Sequence, residues 1–408
     1  MPLGILGLVR WTCWFLRRIP ASLYRPIGTG HHEALSVVVP VYQEAPAVFE
    51  LAIHSWLVNR VAEVILVIDV TDKACLAVAQ KFLRPATDAE PTKLRILPTD
   101  IPGKRDALRR GWNSATSPLV ALVDSDTIWA DDVAALVCEP FADPMVGGVG
   151  TRQNVYHAAG FWPRLADFYL DYRYFDEIAA QTVMGQAVSC LSGRTAIYRR
   201  DILMAIENDF MNERFLGVQC MSGDDKRLTS LTLAAGHRTV LQRSARVWST
   251  FPDRFGPFLR QRIRWARNTW RSDLRALFGG WVWRYPFLAF TMVDKAVASV
   301  TLLFSAGFMV VAVVGRRWDV AGVLALWWLI SRSAKSLPHL ERRPRDLFMM
   351  PAFIMMGFLM AAVKLWALAT VRTQRWLTRE VAVVDGVVVR TTPPPQVAAG
   401  SVASGSSP

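Results

Sequence analysis

The sequence of 408 residues is poor in charge and in cysteine. Only 20% of its residues are Asp, Glu, Lys or Arg, while 52% are hydrophobic. This composition excludes a disordered or fibrous chain and indicates more apolar surface than a purely cytosolic enzyme buries. The five cysteines are far apart and form no CxxC pair, which excludes a disulfide framework and favours a reducing compartment. The six histidines form no HExxH motif, so a metalloprotease is excluded as well.

Acidic residues are also in deficit. The chain has 34 Asp and Glu against 47 Lys and Arg, which gives a net charge of +13 at pH 7. Such an excess suits nucleic acid, an anionic membrane surface or a phosphate-bearing substrate. The sequence has no zinc-finger spacing, and its basic residues cluster beside apolar runs. We therefore expect a lipid bilayer and a phosphorylated substrate as partners, and no nucleic acid.

Long apolar runs are confined to the two ends of the chain. Residues 296–315 carry no charge and are long enough to span ~30 Å of hydrocarbon. Residues 320–331 span only if Arg332 and Lys335 extend towards the headgroups. Residues 2–16 precede two arginines and show no cleavage site, which favours a short membrane anchor or in-plane helix over a signal peptide.

The last apolar run, residues 347–371, is interrupted by Pro351, Gly357 and Lys364. These breaks predict an in-plane or re-entrant helix pair instead of a full crossing. About two full C-terminal spans then remain, which are too few to wall a wide channel. Self-association or an export partner would therefore be needed to move a polymer across the membrane.

The central part of the chain alternates predicted strands with helical stretches. Short apolar runs predict strands at residues 36–41, 64–68, 94–97 and 119–123, and residues 47–60 have helical periodicity. This alternation predicts an α/β domain with a mainly parallel sheet. Ligands of such sheets bind beyond the carboxyl ends of the strands, so the chemistry is expected there.

Carboxylates follow three of these predicted strands. Glu44 comes after the first strand, Asp69 ends the second, and Asp124 and Asp126 follow the fourth. Carboxylate oxygens one residue apart can bind one Mg²⁺ or Mn²⁺ that bridges phosphates. The alternative is ordinary structure, because acidic turns after strands are common and Asp often caps a helix.

Two further segments pair a helix start with charge. Lys104 opens a helix after Pro-Gly, and helix N–H groups with a lysine can cradle a diphosphate. Asp224 and Asp225 follow Ser222-Gly223, and one of these carboxylates could act as a general base on an acceptor hydroxyl. The alternative for this pair is a helix N-terminus that attracts acidic residues.

A basic and aromatic helix precedes the first apolar run. Gln261, Arg264 and Trp265 share one face at helical spacing, where they present an amide, a guanidinium and an indole. Arginine binds diphosphate in a bidentate manner, and the indole can stack on a sugar ring. The alternative is a basic amphipathic helix that lies on the membrane, and both readings can hold together.

The order of these motifs resembles the processive family-2 glycosyltransferases, in particular the hyaluronan synthase, chitin synthase and type 3 capsular polysaccharide synthase branch. The resemblance covers residues 36–380. The motifs that carry it are PGKR at 102–105, VDSDT at 123–127, TRQ at 151–153, CLSGRT at 190–195, SGDD at 222–225, QRIRW at 261–265 and WLTR at 376–379.

The resemblance implies a role for each matching residue. Residues that would bind the UDP-sugar donor are Glu44, Asp69, Lys104, Asp124, Gln261, Arg262 and Arg264. Mg²⁺ or Mn²⁺ would be held by Asp124 and Asp126, and Asp225 would be the catalytic base. The growing polysaccharide would contact Cys190, Ser192, Gly193, Arg194 and Trp265. A gating element near the active site would contain Trp376, Thr378 and Arg379.

The resemblance also implies an architecture. We expect an N-terminal membrane-associated helix and linker, a cytosolic domain of the GT-A nucleotide-sugar-binding fold, amphipathic interface helices with the QRIRW motif, membrane helices with WLTR, and a C-terminal tail. Their predicted ranges are 1–32, 33–255, 256–290, 291–380 and 381–408.

The implied protein is a multi-pass enzyme of the plasma membrane that polymerises an extracellular or capsular polysaccharide. It would use UDP-sugars in an inverting transfer on the cytoplasmic side and couple synthesis to export. Two alternatives stay open. One is a non-processive transferase that acts on a lipid-linked acceptor, and the other is a membrane transport or scaffold protein with an inactive α/β domain.

Overall fold

The computed structural model describes residues 4–83, 92–373, 381–384 and 387–390. Its strands lie where short apolar runs were predicted, with several more after residue 126. The strands are β1 (Leu35–Val41), β2 (Glu63–Asp69), β3 (Lys93–Thr99), β4 (Leu119–Val123), β5 (Thr127–Trp129), β6 (Val146–Val155), β7 (Thr195–Arg199), β8 (Arg214–Phe215), β9 (Val218–Gln219), β10 (Arg238–Ser249), β11 (Val381–Val384) and β12 (Val387–Arg390).

Helices fill most of the remaining chain. The α-helices are α1 (Ile5–Leu23), α2 (Pro46–Val58), α3 (Lys73–Gln80), α4 (Lys104–Ser114), α5 (Val133–Cys138), α6 (Phe161–Tyr172), α7 (Ile178–Gly185), α8 (Arg200–Ala205), α9 (Glu207–Met211), α10 (Asp224–Ala234), α11 (Phe255–Phe278), α12 (Pro286–Val314), α13 (Trp318–Lys335), α14 (Leu337–Arg342) and α15 (Met350–Ala369). A π-helical turn, Arg173–Glu177, joins α6 to α7.

Eight strands form one central sheet in the order β3-β2-β1-β4-β7-β6-β10-β5. The predicted mainly parallel sheet is confirmed, because β1 is parallel to β2 and β4, β2 to β3, and β6 to β10. Strands β5 and β7 run antiparallel to their neighbours. As a result the carboxyl ends of β1, β2 and β4 and the beginning of β7 meet at one edge.

Both faces of the sheet are buried, as expected for parallel strands. In β1, Val37 and Val39 pack in one apolar cluster with α2, while Val38 packs in the opposite cluster with α4. Helix α4 approaches very closely, because a Cβ on Gly111 would lie only 2.1 Å from Val38 Cγ1. Helices thus cover both faces of the sheet, and this packing supports the edge where the parallel strands end.

Two stretches among the described residues are long and apolar enough to cross a membrane, Pro286–Val314 and Pro344–Ala369. The first covers residues 296–314 of the predicted span 296–315. Helix α13 has 18 residues and runs back beside α12, where Trp328 Nε1 donates to Ser305 Oγ at 2.9 Å. The predicted segment 320–331 therefore lies within one helix, whose charged ends make it less apolar than the two long stretches.

The predicted break in residues 347–371 is wrong, because α15 is one continuous helix. Pro351 lies in its first turn, where the missing N–H costs nothing. Both ends of α15 pack on the central part of the chain. Phe353 joins the core beside α6, and Ala367 packs against Trp270 of α11. Both ends of α15 therefore contact the central part of the chain, and its in-plane placement stays a prediction.

Candidate active site

A cleft of about 630 Å³ opens at the edge where the parallel strands end. Thirteen of the described residues proposed from the sequence line this cleft, so the structure brings the separate motifs together. They are Glu44, Asp69, Lys104, Asp124, Asp126, Cys190, Ser192, Gly193, Arg194, Asp225, Gln261, Arg264 and Trp265. Arg262 does not line it, and Trp376, Thr378 and Arg379 lie outside the described residues.

Strand pairing explains how residues far apart in sequence reach one edge. Val123 of β4 pairs with Thr195 of β7, so the segment before β7 lies beside the segment after β4. The backbone N–H of Asp124 donates to the carbonyl oxygen of Arg194 at 3.4 Å. The VDSDT and CLSGRT motifs therefore form adjacent parts of one site wall.

The start of α4 supplies a cation to this edge. Gly103 has φ +126°, a conformation that favours glycine, and it turns the chain into α4. Lys104 then forms a close ion pair with Asp124. Burial opposes the ammonium charge, but Asp124, Asp224 and Asp225 outweigh it and hold the pKa of Lys104 above its ordinary value. Lys104 is therefore charged and available to an anionic ligand.

The two aspartates of the DSD turn line the cleft, and the serine between them is hydrogen-bonded to a neighbouring carboxylate. Ser125 is buried and donates to Glu44 Oε2 at 2.8 Å, while Asp124 and Asp126 stay half-buried on the cleft wall. Asp126 Oδ2 also accepts a hydrogen bond from Thr250 Oγ1 at 2.8 Å. Hard carboxylate oxygens on one turn fit Mg²⁺ or Mn²⁺. Glu44 thus supports the turn, a contact that sequence spacing alone does not reveal.

Asp69 lies deep in the cleft at the end of β2. It is 4% exposed, and its Oδ1 accepts hydrogen bonds from the backbone N–H and the hydroxyl of Thr71 at 2.9 and 2.6 Å. These contacts form a turn that fixes the orientation of the carboxylate. Asp69 is not the cap of α3, because Asp72 takes that role by accepting from Cys75 N.

The two carboxylates of the GDD motif have different partners. Asp224 is buried and pairs with Arg105 Nε at 2.8 Å. Asp225 faces the cleft, where its Oδ1 accepts from Lys226 N at 2.8 Å and its Oδ2 accepts from Cys190 Sγ at 3.6 Å. Gly223 before them has φ +93° and packs against Asn268. Both residues line the cleft, but Asp224 is paired with Arg105, so Asp225 is the stronger candidate to contact a substrate.

Arg105 is a functional residue that sequence reasoning missed. Besides Asp224 it donates to Glu213 Oε2 at 2.5 Å and to the carbonyl oxygen of Phe210 at 2.8 Å. Burial opposes the charge on Glu213, but Arg105 and Arg275 hold the pKa of its carboxyl below the ordinary value. The only sequence signal is that Arg105 directly follows Lys104 at a helix start.

The acceptor side of the cleft is aromatic and cationic. The Arg194 guanidinium carbon lies 4.3 Å from the Phe251 ring centroid and 5.4 Å from that of Trp265. Burial and the charge of Asp225 raise the pKa of Cys190 to about 12, so this thiol is neutral. A neutral thiol is a poor nucleophile, which argues against covalent catalysis at Cys190.

Arg262 lies behind the cleft wall and not on it. Its guanidinium is 4.7 Å from the Phe258 ring centroid, 4.9 Å from Trp265 and 5.4 Å from Tyr169. Burial lowers its pKa to about 10. Successive residues of a helix point about 100° apart, so Arg262 cannot share the face of Gln261. The structure thus places Arg262 beside the Trp265 ring and outside the residues that line the cleft, while its donor contact stays a prediction.

One other group in the described part of the chain has metal-ligand geometry. Single ligand atoms of Asp167, Asp171 and His339 lie within 4.8 Å of one another. Arg342 already forms close ion pairs with both carboxylates, and Arg343 Nε is 3.0 Å from Asp167. These cations neutralise the carboxylates, so the group ties α6 to α14 as an ion-pair network.

The comparison with protein families gives one match over most of the sheet domain. The family described as Glycosyltransferase like family 2 matches residues 32–268. An N-acetylglucosaminyltransferase of Rhizobium meliloti (strain 1021) is 31% identical over 380 residues, 88% of this chain and 84% of that protein. One of Rhizobium sp. (strain N33) is 30% identical over 362 residues, 87% and 79% of the two chains.

A solved structure shares the fold at low identity. It is a mannosyltransferase of Pyrobaculum calidifontis in complex with GDP-Man and Mn²⁺. The TM-score is 0.60 at 20% sequence identity, with 88% of this chain and 97% of that chain covered. The α/β sheet domain therefore has the GT-A-like glycosyltransferase fold, which confirms the predicted fold class.

Proposed function

Because the chain belongs to glycosyltransferase family 2, we propose that it extends a polysaccharide at the membrane by inverting transfer of N-acetylglucosamine from UDP-N-acetylglucosamine. The N-acetylglucosaminyltransferase relatives support this donor sugar. A hyaluronan-like or type 3 capsule-like polymer is the narrower prediction within this proposal.

One observation carries the proposal. A Cβ placed on Gly193 would lie 3.3 Å from Lys104 Nζ, 3.6 Å from Asp225 Cβ and 3.8 Å from Asp124 Oδ1. A cation for the donor, a carboxylate for the metal and a carboxylate for the acceptor thus surround a single glycine. Donor and acceptor must meet within such a distance for direct transfer.

The donor half of the site is suited to a diphosphate. Lys104 would donate to its oxygens, and Asp69 would hold the uridine part in the deep end of the cleft. Asp124 and Asp126 would hold Mg²⁺ or Mn²⁺, which when bound neutralises the charge of the departing diphosphate. Gln261 and Arg264 line the same cleft and would bind the diphosphate from the side of α11.

Asp225, as the general base, takes part in the bond-forming step of the transfer. Asp225 accepts the proton of the acceptor hydroxyl while that oxygen forms a bond to C1 of the donor sugar. The bond from C1 to the diphosphate oxygen breaks at the same time, and its electron pair leaves with UDP. The single displacement inverts the configuration at C1. The neutral thiol of Cys190 agrees with a route that has no covalent intermediate.

Trp265 would support the acceptor sugar by stacking. Guanidinium groups of Arg194 and Arg262 lie 5.4 and 4.9 Å from the centroid of its ring, and these contacts limit movement of the indole. Trp265→Ala should shorten or abolish the product while UDP still binds. Unchanged product length and rate would contradict stacking at this position.

The proposed membrane arrangement follows from the helices. Helices α12 and α13 would form a transmembrane hairpin, while α1 and α15 would lie in the plane of the membrane against a cytosolic catalytic domain. Single-cysteine labelling in intact cells tests this, with Trp318→Cys at the hairpin tip and Lys81→Cys in the sheet domain as its control. A membrane-impermeant maleimide should label position 318 only. Labelling of position 81 from outside would overturn the arrangement.

The decisive test of function uses the full-length protein purified in detergent. It would be incubated with radiolabelled UDP-N-acetylglucosamine, UDP-glucuronate, UDP-glucose or GDP-Man, each with Mg²⁺ or Mn²⁺, and products would be sized. Transfer from UDP-N-acetylglucosamine into a polymer is expected. Asp225→Asn should abolish transfer and retain UDP binding, while the exposed control Asp131→Asn should behave as the wild type.

The outcomes separate the alternatives. Transfer from a different donor would refute the proposed sugar, and a product with one added sugar would favour the non-processive transferase on a lipid-linked acceptor. Absence of turnover with every donor would favour the inactive transport or scaffold protein. Wild-type turnover by Asp225→Asn would show that Asp225 is not the base.

A further inference from the structure

A second cluster of cations lies away from the cleft, where α1 meets the base of the α12–α13 hairpin. Arg10 and Arg17 of α1 both form close ion pairs with Asp294 of α12. Arg17 Nε also lies 3.8 Å from Asp176. These pairs fix α1 on the hairpin and use the local carboxylates for that purpose.

Lys335, at the end of α13, lies in an aromatic corner of this junction. Its Nζ is 4.7 Å from the Trp11 ring centroid and 5.7 Å from that of Trp14. Trp327 of α13 closes the corner, with its ring centroid 5.9 Å from that of Trp11. Indole rings stabilise an ammonium group without neutralising it.

The charge in this corner is predominantly positive. The strongest charges acting on Lys335 are those of Arg332, Arg10 and Arg17, and only then that of Asp176. Within the described ranges, no carboxylate forms an ion pair with Arg332 or Lys335. Arg332 and Lys335, at the end of α13, therefore lack a paired carboxylate, whereas Arg10 and Arg17 of α1 both pair with Asp294.

Hydrogen-bond donors at the same junction also lack acceptors. The indole N–H of Trp14, which is 8% exposed, has no partner among the described residues. The same holds for the hydroxyl oxygens of Ser333 and Ser336, and Ser336 is 2% exposed. Buried donors without partners are rare in proteins, so the hydrogen bonding of this junction is incomplete among the described residues.

An apolar surface lies next to the cluster. The outward side of α1 exposes large hydrophobic residues at helical spacing, and the hairpin exposes more of them. On α1 these are Ile5, Leu8, Phe15, Leu16, Ile19 and Leu23.

We propose that this junction binds the phosphate of an anionic membrane lipid, with Arg332 and Lys335 on the phosphate and the apolar side of α1 along the acyl chains. Uncharged glycan would leave the excess charge in place, whereas a lipid phosphate matches the cations, the donors and the apolar surface together. The site is separate from the donor cleft and does not depend on which sugar is transferred.

The site also contacts the acceptor side of the cleft through two hydrogen bonds. Arg17 Nη2 donates to Tyr172 OH at 3.2 Å, and the next residue, Arg173, donates to the carbonyl oxygen of Cys190 at 3.1 Å. A lipid bound at the junction would therefore hold the segment that supports the acceptor pocket.

Native mass spectrometry of the detergent-solubilised full chain tests the proposal. Dioleoyl-phosphatidylglycerol should be retained on the protein, and dioleoyl-phosphatidylcholine should not. The double variant Arg332→Gln/Lys335→Gln should weaken phosphatidylglycerol binding about tenfold or more, because charge-assisted contacts are lost. Lys335→Arg should retain it. The control Arg345→Gln removes an exposed charge from the same end of the chain and should bind as the wild type.

Thermal unfolding in detergent and UDP binding serve as folding controls. A double variant with an unchanged thermal midpoint and unchanged UDP affinity is folded. Equal phosphatidylglycerol retention by the folded double variant would overturn the site. Loss on Arg345→Gln alone would overturn it as well, by showing a diffuse surface effect. Stabilisation by inorganic phosphate as large as by lipid would assign a free-anion site instead. Stabilisation by chitin oligosaccharides that the double variant loses would assign the corner to glycan.

Discussion

Replacement of Arg105 by Gln tests whether this residue supports the proposed base, Asp225, without taking part in donor binding. Arg105 is the cation that pairs with buried Asp224, and it shares Glu213 with Arg275. Breaking a buried ion pair on one side costs about 3–5 kcal/mol, because the other charge stays buried without its partner. The expected loss is thus a large part of the ~5–15 kcal/mol stability of a typical domain.

The effect on activity follows from the position of Asp224. It precedes Asp225 in the first turn of α10, so a displaced Asp224 also displaces the base. A misplacement of about 1 Å can lower turnover about 100-fold. In the described part of the chain, Lys104 and Asp69 form no ion pair with Arg105 or Asp224, although the charge of Asp224 acts on Lys104, so we expect UDP affinity to change less than kcat.

The assay measures three quantities on each purified variant: the thermal midpoint, the UDP dissociation constant and kcat. The matched control is Arg109→Gln, one turn further along α4. Its ion pair with Asp106 at 2.9 Å is partly exposed, with Arg109 38% accessible, and exposed pairs contribute about 0–1 kcal/mol. The second variant is Arg105→Gln/Asp224→Asn, which removes both charges and should recover part of the lost stability.

Three results would refute this reasoning. If Arg105→Gln unfolds no earlier than Arg109→Gln, the network does not stabilise the fold. If UDP affinity falls in parallel with kcat, Arg105 acts on the donor and not on the base. If the double variant is less stable than Arg105→Gln, the uncompensated charge on Asp224 is not the cause of the loss.

Three further predictions concern the cleft. Asp126→Asn should lose turnover in Mn²⁺ or Mg²⁺ while the fold is retained, and full wild-type turnover in excess chelator would contradict a metal-dependent reaction. Gly193→Ala places a methyl group 3.3 Å from Lys104 Nζ, so kcat should fall about tenfold with little change in thermal midpoint; wild-type kinetics would show that donor and acceptor do not meet there. Cys190 should resist iodoacetamide at pH 8, because burial and Asp225 raise its pKa to about 12; rapid modification detected by peptide mass spectrometry would show a thiolate.

The parts of the site that depend on strand ends could be predicted from the sequence. Asp69, Asp124 and Asp126 each follow a strand of a parallel sheet, and the ends of such strands meet at one edge by geometry alone. The sequence did not indicate that β7 runs antiparallel. This direction is what brings Gly193 to the same edge, and its predicted role came from a motif resemblance.

The supporting contacts could not be predicted, because they join residues distant in sequence. Arg105 reaches Asp224 across 119 positions, and Ser125 reaches Glu44 across 81. Periodicity and spacing carry no information about such pairs. Arg262 lies behind the cleft wall for a local reason, since helical geometry turns it about 100° from Gln261.

The composition of helix α15 does not determine its position relative to the membrane. Its apolar sequence satisfies the length and hydropathy of a membrane span, and the same composition suits a helix that is half in lipid and half on protein. The contacts that hold it against the sheet domain are tertiary: Phe353 packs beside α6, and Trp270 Nε1 donates to the carbonyl oxygen of Lys364 at 2.8 Å.

The arrangement of helices limits how a polymer could leave the enzyme. If α15 lies in the plane, the hairpin of α12 and α13 is the transmembrane part among the described residues, and neighbouring helices pack only about 8–10 Å apart. Two helices at this distance enclose no lumen for a sugar chain. Export would then require a second copy of the chain or another membrane protein beside the hairpin. Mass measurement of the detergent-solubilised complex during synthesis shows whether a second copy of the chain or another protein is bound. A monomer that exports polymer in reconstituted vesicles would contradict the in-plane placement of α15.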